Sequence, residues 1–274
     1  MPAALSSASP TLRRKGRRRG LPAWLGSLVL LAIFLASWEC YVRVFGVSKL
    51  VLPPPSLVVA EWVRSLSDPL VWFHTWITVW ETVLGFFFAV AVGVGLGALL
   101  GEMPRLEKML NPFIVATQVV PKVALVPLFV VWFGFGITSK VVIAAVLAFF
   151  PILLNTILGV KSVDRGHREV LASLNASRWQ SVIELEFPSA LPYILTGMEV
   201  GVVLAIIGAV VGEYLGGSQG LGNLAVKQMN SYNTTALFAV IIHLSIIGFL
   251  FYGAVVACRR LLIPWHESAR VPSD

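Results

Sequence analysis

The chain has 274 residues, of which 57% are hydrophobic and 13% charged, with a mean hydropathy of +0.83 and a net charge of +7. Soluble globular domains carry roughly 25% charged residues, so this composition points into a bilayer. The cations flank apolar runs instead of forming one folded basic face, which speaks against a nucleic-acid partner.

A basic tail over residues 1–21, with Arg13, Arg14, Lys15, Arg17, Arg18 and Arg19, leads into an apolar run at residues 22–42. That run is longer than the roughly 7–15 residues of a signal-peptide core and has no small-x-small cleavage site, so it reads as a true span. Further runs at residues 78–100, 112–133, 141–160, 191–211 and 237–258 are each long enough to cross the hydrocarbon core as a helix. The predicted fold is therefore all-α: a polytopic membrane protein with six transmembrane helices. Its transmembrane domain covers residues 22–260, and a short tail, 261–274, follows.

The second run carries Ala89, Gly93, Gly97 and Gly101 at four-residue intervals, and the fifth carries Gly197, Gly201 and Ala205. Such stripes let another helix approach closely. In the third run, Pro121 and Pro127 each remove a helix hydrogen bond, so a bend or break is expected there. A broken span is tolerated where the freed carbonyls face protein or a water-filled path. Pro121, Lys122 and Pro127 are thus candidates for lining a pathway, with a plain packing kink as the other reading. Trp24, Trp72, Trp76, Trp80 and Trp265 lie near run ends, where the indole suits the headgroup level. Cys40 and Cys258 have no Cys-x-x-Cys spacing and read as packing residues.

Between the fourth and fifth spans lies a polar stretch, residues 162–188, which reads as two short amphipathic helices joined by a turn at Asn175. Asn tolerates the left-handed backbone better than most residues except Gly. Ser177 is positioned to cap the second helix. An apolar ridge including Val170, Leu171, Leu174, Trp179, Val182, Ile183 and Leu185 is bordered by Arg168, Glu169 and Arg178. Apolar area with charge at its rim suits docking of another protein; a helix lying on the membrane surface is the alternative.

Lysine and arginine counts set the orientation. The N-terminal cluster, Arg105 and Lys108, the four cations of the long loop (Lys161, Arg165, Arg168, Arg178) and Arg259, Arg260 and Arg270 all fall on one face, predicted to be cytoplasmic. Both termini are then cytoplasmic. The glycine-rich loop with Gly216, Gly217, Gly220 and Gly222 falls on the opposite face. No Lys-Ser or Lys-Thr follows it, so it is not a phosphate cradle. His74, His167, His243 and His266 have no zinc-ligand spacing. His243, inside the last span, reads as a packing histidine or a proton-relay member.

The loop resembles, in spacing, the coupling loop of ATP-binding-cassette importer permeases: Glu-Ala-Ala, three residues, Gly, nine residues, Ile, one residue, Leu-Pro. Here the pattern stands as Glu169-Val170-Leu171, Asn175 and Leu185-Glu186-Phe187-Pro188. Further phrases carry the same resemblance. They are Pro121-Lys122-Val123-Ala124-Leu125-Val126-Pro127-Leu128, Trp132-Phe133-Gly134-Phe135-Gly136, Phe149-Phe150-Pro151, Asn155-Thr156, Leu174-Asn175-Ala176-Ser177, Gly220-Leu221-Gly222 and Pro264-Trp265-His266. From Thr78 to Trp265 the chain is similar to the permease subunit of binding-protein-dependent importers, in the branch for nitrate, sulfonate, taurine and thiamine precursors.

The resemblance implies half of a translocation pathway in the bacterial inner membrane, with no catalysis and no cofactor in this chain. ATP and Mg would be used by a partner ATPase docked on residues 162–188, where Glu169, Asn175, Ala176, Ser177, Leu185 and Pro188 are the coupling residues. A second permease copy, as a homodimer, and an external solute-binding protein would complete the assembly. Permeases for nitrate, sulfonate and taurine often carry Arg where this chain has Glu81 and Glu199. If these acids border the path they disfavour an anionic substrate, and together with the Gly208–Glu213 phrase they suggest a pyrimidine-type thiamine precursor or riboflavin. Each acid could instead pair with a lysine or arginine elsewhere. The alternatives are a permease for sulfonate, taurine or nitrate and, further off, an ion-coupled secondary transporter.

Overall fold

Inside a bilayer every backbone amide must find a partner within the chain, so long apolar runs fold as helices. The computed structural model describes residues 23–264, and every regular element within them is helical. In chain order, α1 (Ala23–Val44) precedes a short α2 (Pro55–Ser65) and a long α3 (Pro69–Glu102). Next come α4 (Pro104–Val119), a 3-10 turn at Lys122–Leu125 and α5 (Val126–Phe133), followed by α6 (Ile137–Lys161). The polar stretch holds α7 (Arg165–Ser173), α8 (Arg178–Ser181) and a π-turn at Val182–Glu186 that runs into α9 (Phe187–Gly216). A short α10 (Leu221–Asn230) and α11 (Thr234–Leu262) complete the described chain.

Among these residues, five helices are long and apolar enough to cross a membrane, and six if the bent pair α4–α5 counts as one broken span. Its two arms meet at 82°. Pro121 sits at the break, and Pro127 lies in the first turn of α5, where its missing N–H costs nothing. The expected interruption is therefore a sharp break.

Two boundaries differ from expectation. The second span starts at Pro69, not at residue 78, because Asp68 accepts the Leu70 N–H (2.8 Å) and Pro69 occupies the first helical turn. The polar residues His74, Thr75 and Thr78 are then inside the helix and buried. Two inter-span stretches hold helices too short to span, α2 packed against α11 and α10 packed against α11 and α9. The basic tail at 1–21, Trp265, His266 and the rest of the C-terminal tail lie outside the described residues.

The core is a sandwich in which α6 passes between α3 and α9. Both small-residue stripes face α6. On the α3 side, a Cβ at Gly97 or Gly101 would stand 2.6 Å from the Cβ of Thr156 or Val160. On the α9 side, a Cβ at Gly201 would meet Ile152 Cδ1 at 2.8 Å, and one at Gly208 would meet Ala144 Cα at 2.7 Å. Ala144, Ala148 and Ile152 are fully enclosed between the two neighbours. Helix α1 stands apart from this core. It is tied to α2 where Glu39 accepts from the Ser56 N–H (3.0 Å) and hydroxyl (2.8 Å), and to α11 by Trp38 against Phe238.

Candidate functional site

The polar stretch folds as the sequence suggests, and local chemistry explains each step. Asp164 caps α7 by accepting the Gly166 N–H at 2.6 Å. At the other end Asn175 takes φ = 55°, so that its N–H reaches the Ala172 carbonyl (3.1 Å) and the Ala176 N–H reaches Leu171 (3.0 Å). This pair of bonds is a Schellman closure, with Asn in the place usually held by Gly. Ser177 then opens α8 with a reciprocal capping box, its hydroxyl accepting from the Gln180 N–H while the Gln180 side chain accepts from the Ser177 N–H (2.7 Å).

The resulting helix-turn-helix exposes Val170, Leu174, Trp179 and Ile183, with Leu174 and Trp179 each more than 70% exposed. Glu169 and Arg178 are exposed beside them. Leu185 is half-buried in the π-turn, and Pro188 lies in the first turn of α9. The coupling candidates thus occupy one continuous piece of structure, with the apolar surface outward.

Beneath this surface Arg168 reaches inward. Its guanidinium lies 3.5 Å from Glu102 at the end of α3, 3.6 Å from Glu186 in the π-turn and 3.3 Å from the Val160 carbonyl near the end of α6. Arg178 comes within 4.0 Å of the same Glu102. Lys161 pairs with Glu107 of α4 at 2.5 Å. Sequence reasoning placed Arg168 and Arg178 on the rim and gave no role to Glu102 or Glu186. Only their high charge amid apolar surroundings hinted at one.

The pathway candidates divide into two groups. Pro121 and Pro127 are exposed at the break, and Lys122 lies over the Phe150 ring with its ammonium 4.7 Å from the centroid. Glu81 and Glu199 are instead interior to this one chain, 2% and 9% exposed. Glu199 pairs with Arg259 of α11 at 3.1 Å, the ion-pair alternative left open above. Glu81 has no cation within pairing distance among the described residues; it lies against Glu213 of α9, and its Oε2 has no hydrogen-bond partner.

Glu213 organises the glycine-rich loop. It accepts from the Thr78 hydroxyl (2.6 Å) and from the Gly222 N–H (2.5 Å). The Leu221 N–H donates to Thr78 Oγ1 (2.9 Å) and the Gly220 N–H to His74 Nδ1 (2.9 Å). Gly220 has φ = 96°, and any Cβ there would collide with the Glu213 carboxylate. The three loop amides at the start of α10 are therefore taken up within the chain, by His74, Thr78 and the Glu213 carboxyl group. Lys140 is buried nearby, donating to the carbonyls of Phe135 (2.6 Å) and Gly136 (3.0 Å). His243 is enclosed by Thr75 (3.0 Å) and the Trp62 indole N–H (3.4 Å), so both ring nitrogens are engaged.

Comparison with known proteins bears on this arrangement. Residues 89–263 match the family described as binding-protein-dependent transport system inner membrane component. The formylaminopyrimidine transport permease protein ThiX of Halalkalibacterium halodurans is 36% identical over 235 residues, 86% of this chain and 93% of that protein. The riboflavin transport system permease protein RibX of Chloroflexus aurantiacus is 36% identical over 263 residues, 94% of this chain and 98% of that protein. Among solved structures, an inward-facing form of the MetNI methionine ABC transporter matches in fold. Its TM-score is 0.63 at 21% identity, over 72% of this chain and 99% of that one.

Proposed function

The chain belongs to the inner membrane components of binding-protein-dependent transport systems, in the branch of thiamine-precursor, sulfonate, taurine and nitrate permeases, and from that premise we propose how it works. It is the permease half of an ATP-driven importer, powered by a cytoplasmic ATPase that docks on the α7–α8 helix-turn-helix. The observation that carries this reading is the exposed ridge of Val170, Leu174, Trp179 and Ile183 bordered by Glu169 and Arg178 on a capped, closed turn. Apolar area supplies affinity, and the flanking charges set orientation.

ATP and Mg are bound by that partner. Both termini face the cytoplasm, as the cation distribution favours. A second copy of the chain completes the pathway, with Pro121, Lys122 and Pro127 of each copy lining it. Closure of the ATPase pair rocks the two bundles between inward- and outward-facing positions. An external solute-binding protein delivers the substrate to the α2–α10 end.

The substrate class is a pyrimidine-bearing nutrient, a thiamine precursor or riboflavin. Support for it comes from the two relatives at 36% identity, whose names carry those substrates. With Glu199 paired to Arg259, that acid no longer argues for the substrate. Uptake of labelled riboflavin or formylaminopyrimidine, and none of taurine, is expected of cells carrying the complete system; the reverse pattern supports the sulfonate, taurine and nitrate alternative. For docking, the ATPase co-purifies with the wild-type chain and is lost on Glu169→Arg or on removal of residues 162–188. Retention after that deletion counts against the reading.

A further inference from the structure

Arg168 occupies a position that no exposed rim residue would need. From the first turn of α7 its guanidinium reaches the ends of α3 and α6 and the π-turn that opens α9, through Glu102, Val160 and Glu186. Those three helices are the ones locked together by the glycine stripes. One side chain therefore joins the helix-turn-helix to every member of the packed core.

The covalent route from α8 to α9 is one continuous helix, Arg178–Gly216, marked by a single π turn. Between α8 and α9 lie the five residues Val182–Glu186 in π geometry. Such turns are rare, occur mostly as single turns inside α-helices and are frequent at functional sites. Arg168 meets this turn at its last residue, Glu186, and meets α3 at its last residue, Glu102. Arg178 on the second arm approaches the same Glu102.

The clasp holds by charge across several partners more than by any one short bond, with the Val160 carbonyl as its hydrogen-bond acceptor. Its ion pairs span 3.5 to 4.0 Å, whereas charge-assisted hydrogen bonds close to roughly 2.7–2.9 Å. Arg168 Nε and Glu102 Oε1 are buried yet make no hydrogen bond.

We infer that Arg168 is the positioning residue that makes α7–α8 move as one body with α3, α6 and α9, so that force applied to the helix-turn-helix reaches the core through the Arg168–Glu102–Glu186 clasp and not through the α8–α9 connection alone. The inference rests on the docking of an ATPase at this segment. A chain with Cys40→Ala and Cys258→Ala takes spin labels at Ser173→Cys on α7 and Leu96→Cys on α3, and is assembled with its ATPase and an excess of the unlabelled Cys40→Ala, Cys258→Ala chain in lipid nanodiscs, so that a labelled complex holds one labelled copy. The distance between labels is measured without nucleotide and with ATP trapped by vanadate.

The expected result is one narrow distribution, unchanged by ATP, in the otherwise wild-type complex. In Arg168→Ala the distribution shifts or broadens on ATP trapping while the ATPase stays bound. Arg168→Lys keeps the charge but not the planar fork and falls between the two, and Glu186→Gln loosens the clasp without touching Arg168. A distribution in Arg168→Ala and Glu186→Gln as narrow as in wild type overturns the inference. So does an ATP-driven change in wild type, or loss of the ATPase from Arg168→Ala. A wild-type chain that fails to hold the ATPase at all defeats the docking reading instead.

Discussion

Asn175 and Glu213 illustrate two kinds of residue whose replacement should be felt far beyond their size. The left-handed backbone of Asn175 is needed for both bonds of the α7 closure. Asn175→Gly should leave the turn intact, whereas Asn175→Val strains it by about 1–2 kcal/mol. Limited proteolysis of the detergent-solubilised protein checks this, with cleavage at Arg178 faster in the valine variant alone. Glu213→Ala leaves the Gly222 N–H without its buried acceptor, at about 1–3 kcal/mol, and leaves the Thr78 hydroxyl only its 3.2 Å bond to the His74 carbonyl. Its thermal midpoint in detergent should fall clearly below that of Glu213→Gln, which keeps one acceptor oxygen. Asn175 and Ser177 were legible in the sequence because their partners lie within a few residues. The role of Glu213 was not, because Thr78 stands 135 positions away.

Helices α3, α6 and α9 form a unit because small residues remove the side chains that would hold them apart. Gly208→Leu drives a Cβ into the backbone of Ala144 and must push α9 off α6, at a cost of roughly 1–3 kcal/mol or more. Gly95 lies on α3 with nothing within 4 Å of its Cβ direction. Gly95→Leu should therefore match wild type in expression and thermal midpoint, while Gly208→Leu falls below it; equal loss in both would mean that leucine is simply not tolerated in these spans. The stripes were readable from four-residue spacing, but not that one helix, α6, receives both. The break between α4 and α5 was equally plain from Pro121 and Pro127, whereas α2 and α10 were missed because they are too short for a span signal.

Viewed whole, the chain buries Glu81 and Glu199 and leaves the two prolines of its α4–α5 break exposed. Glu81 and Glu199 sit inside one bundle, while Pro121 and Pro127 are exposed on it. A pathway lined by the latter has to run between two chains, as the proposed pair requires. In the assembled transporter, cysteines at Pro121 and Pro127 should react with a membrane-impermeant maleimide, and a cysteine at Glu81 should not. The opposite pattern would move the path into the α3–α6–α9 interior.

The sequence by itself determined the helical spans, the double-proline break, the turn at Asn175 and the family. Each depends on composition, periodicity or chemistry within a few neighbouring residues. Tertiary structure alone decided that Glu199 meets Arg259, that the glycine loop closes on Glu213, and that Arg168 gathers the ends of three helices. The physical reason is common to all three. A buried polar group takes whichever partner the packing brings within a few ångströms, and helices that cross a membrane bring together residues far apart in the chain.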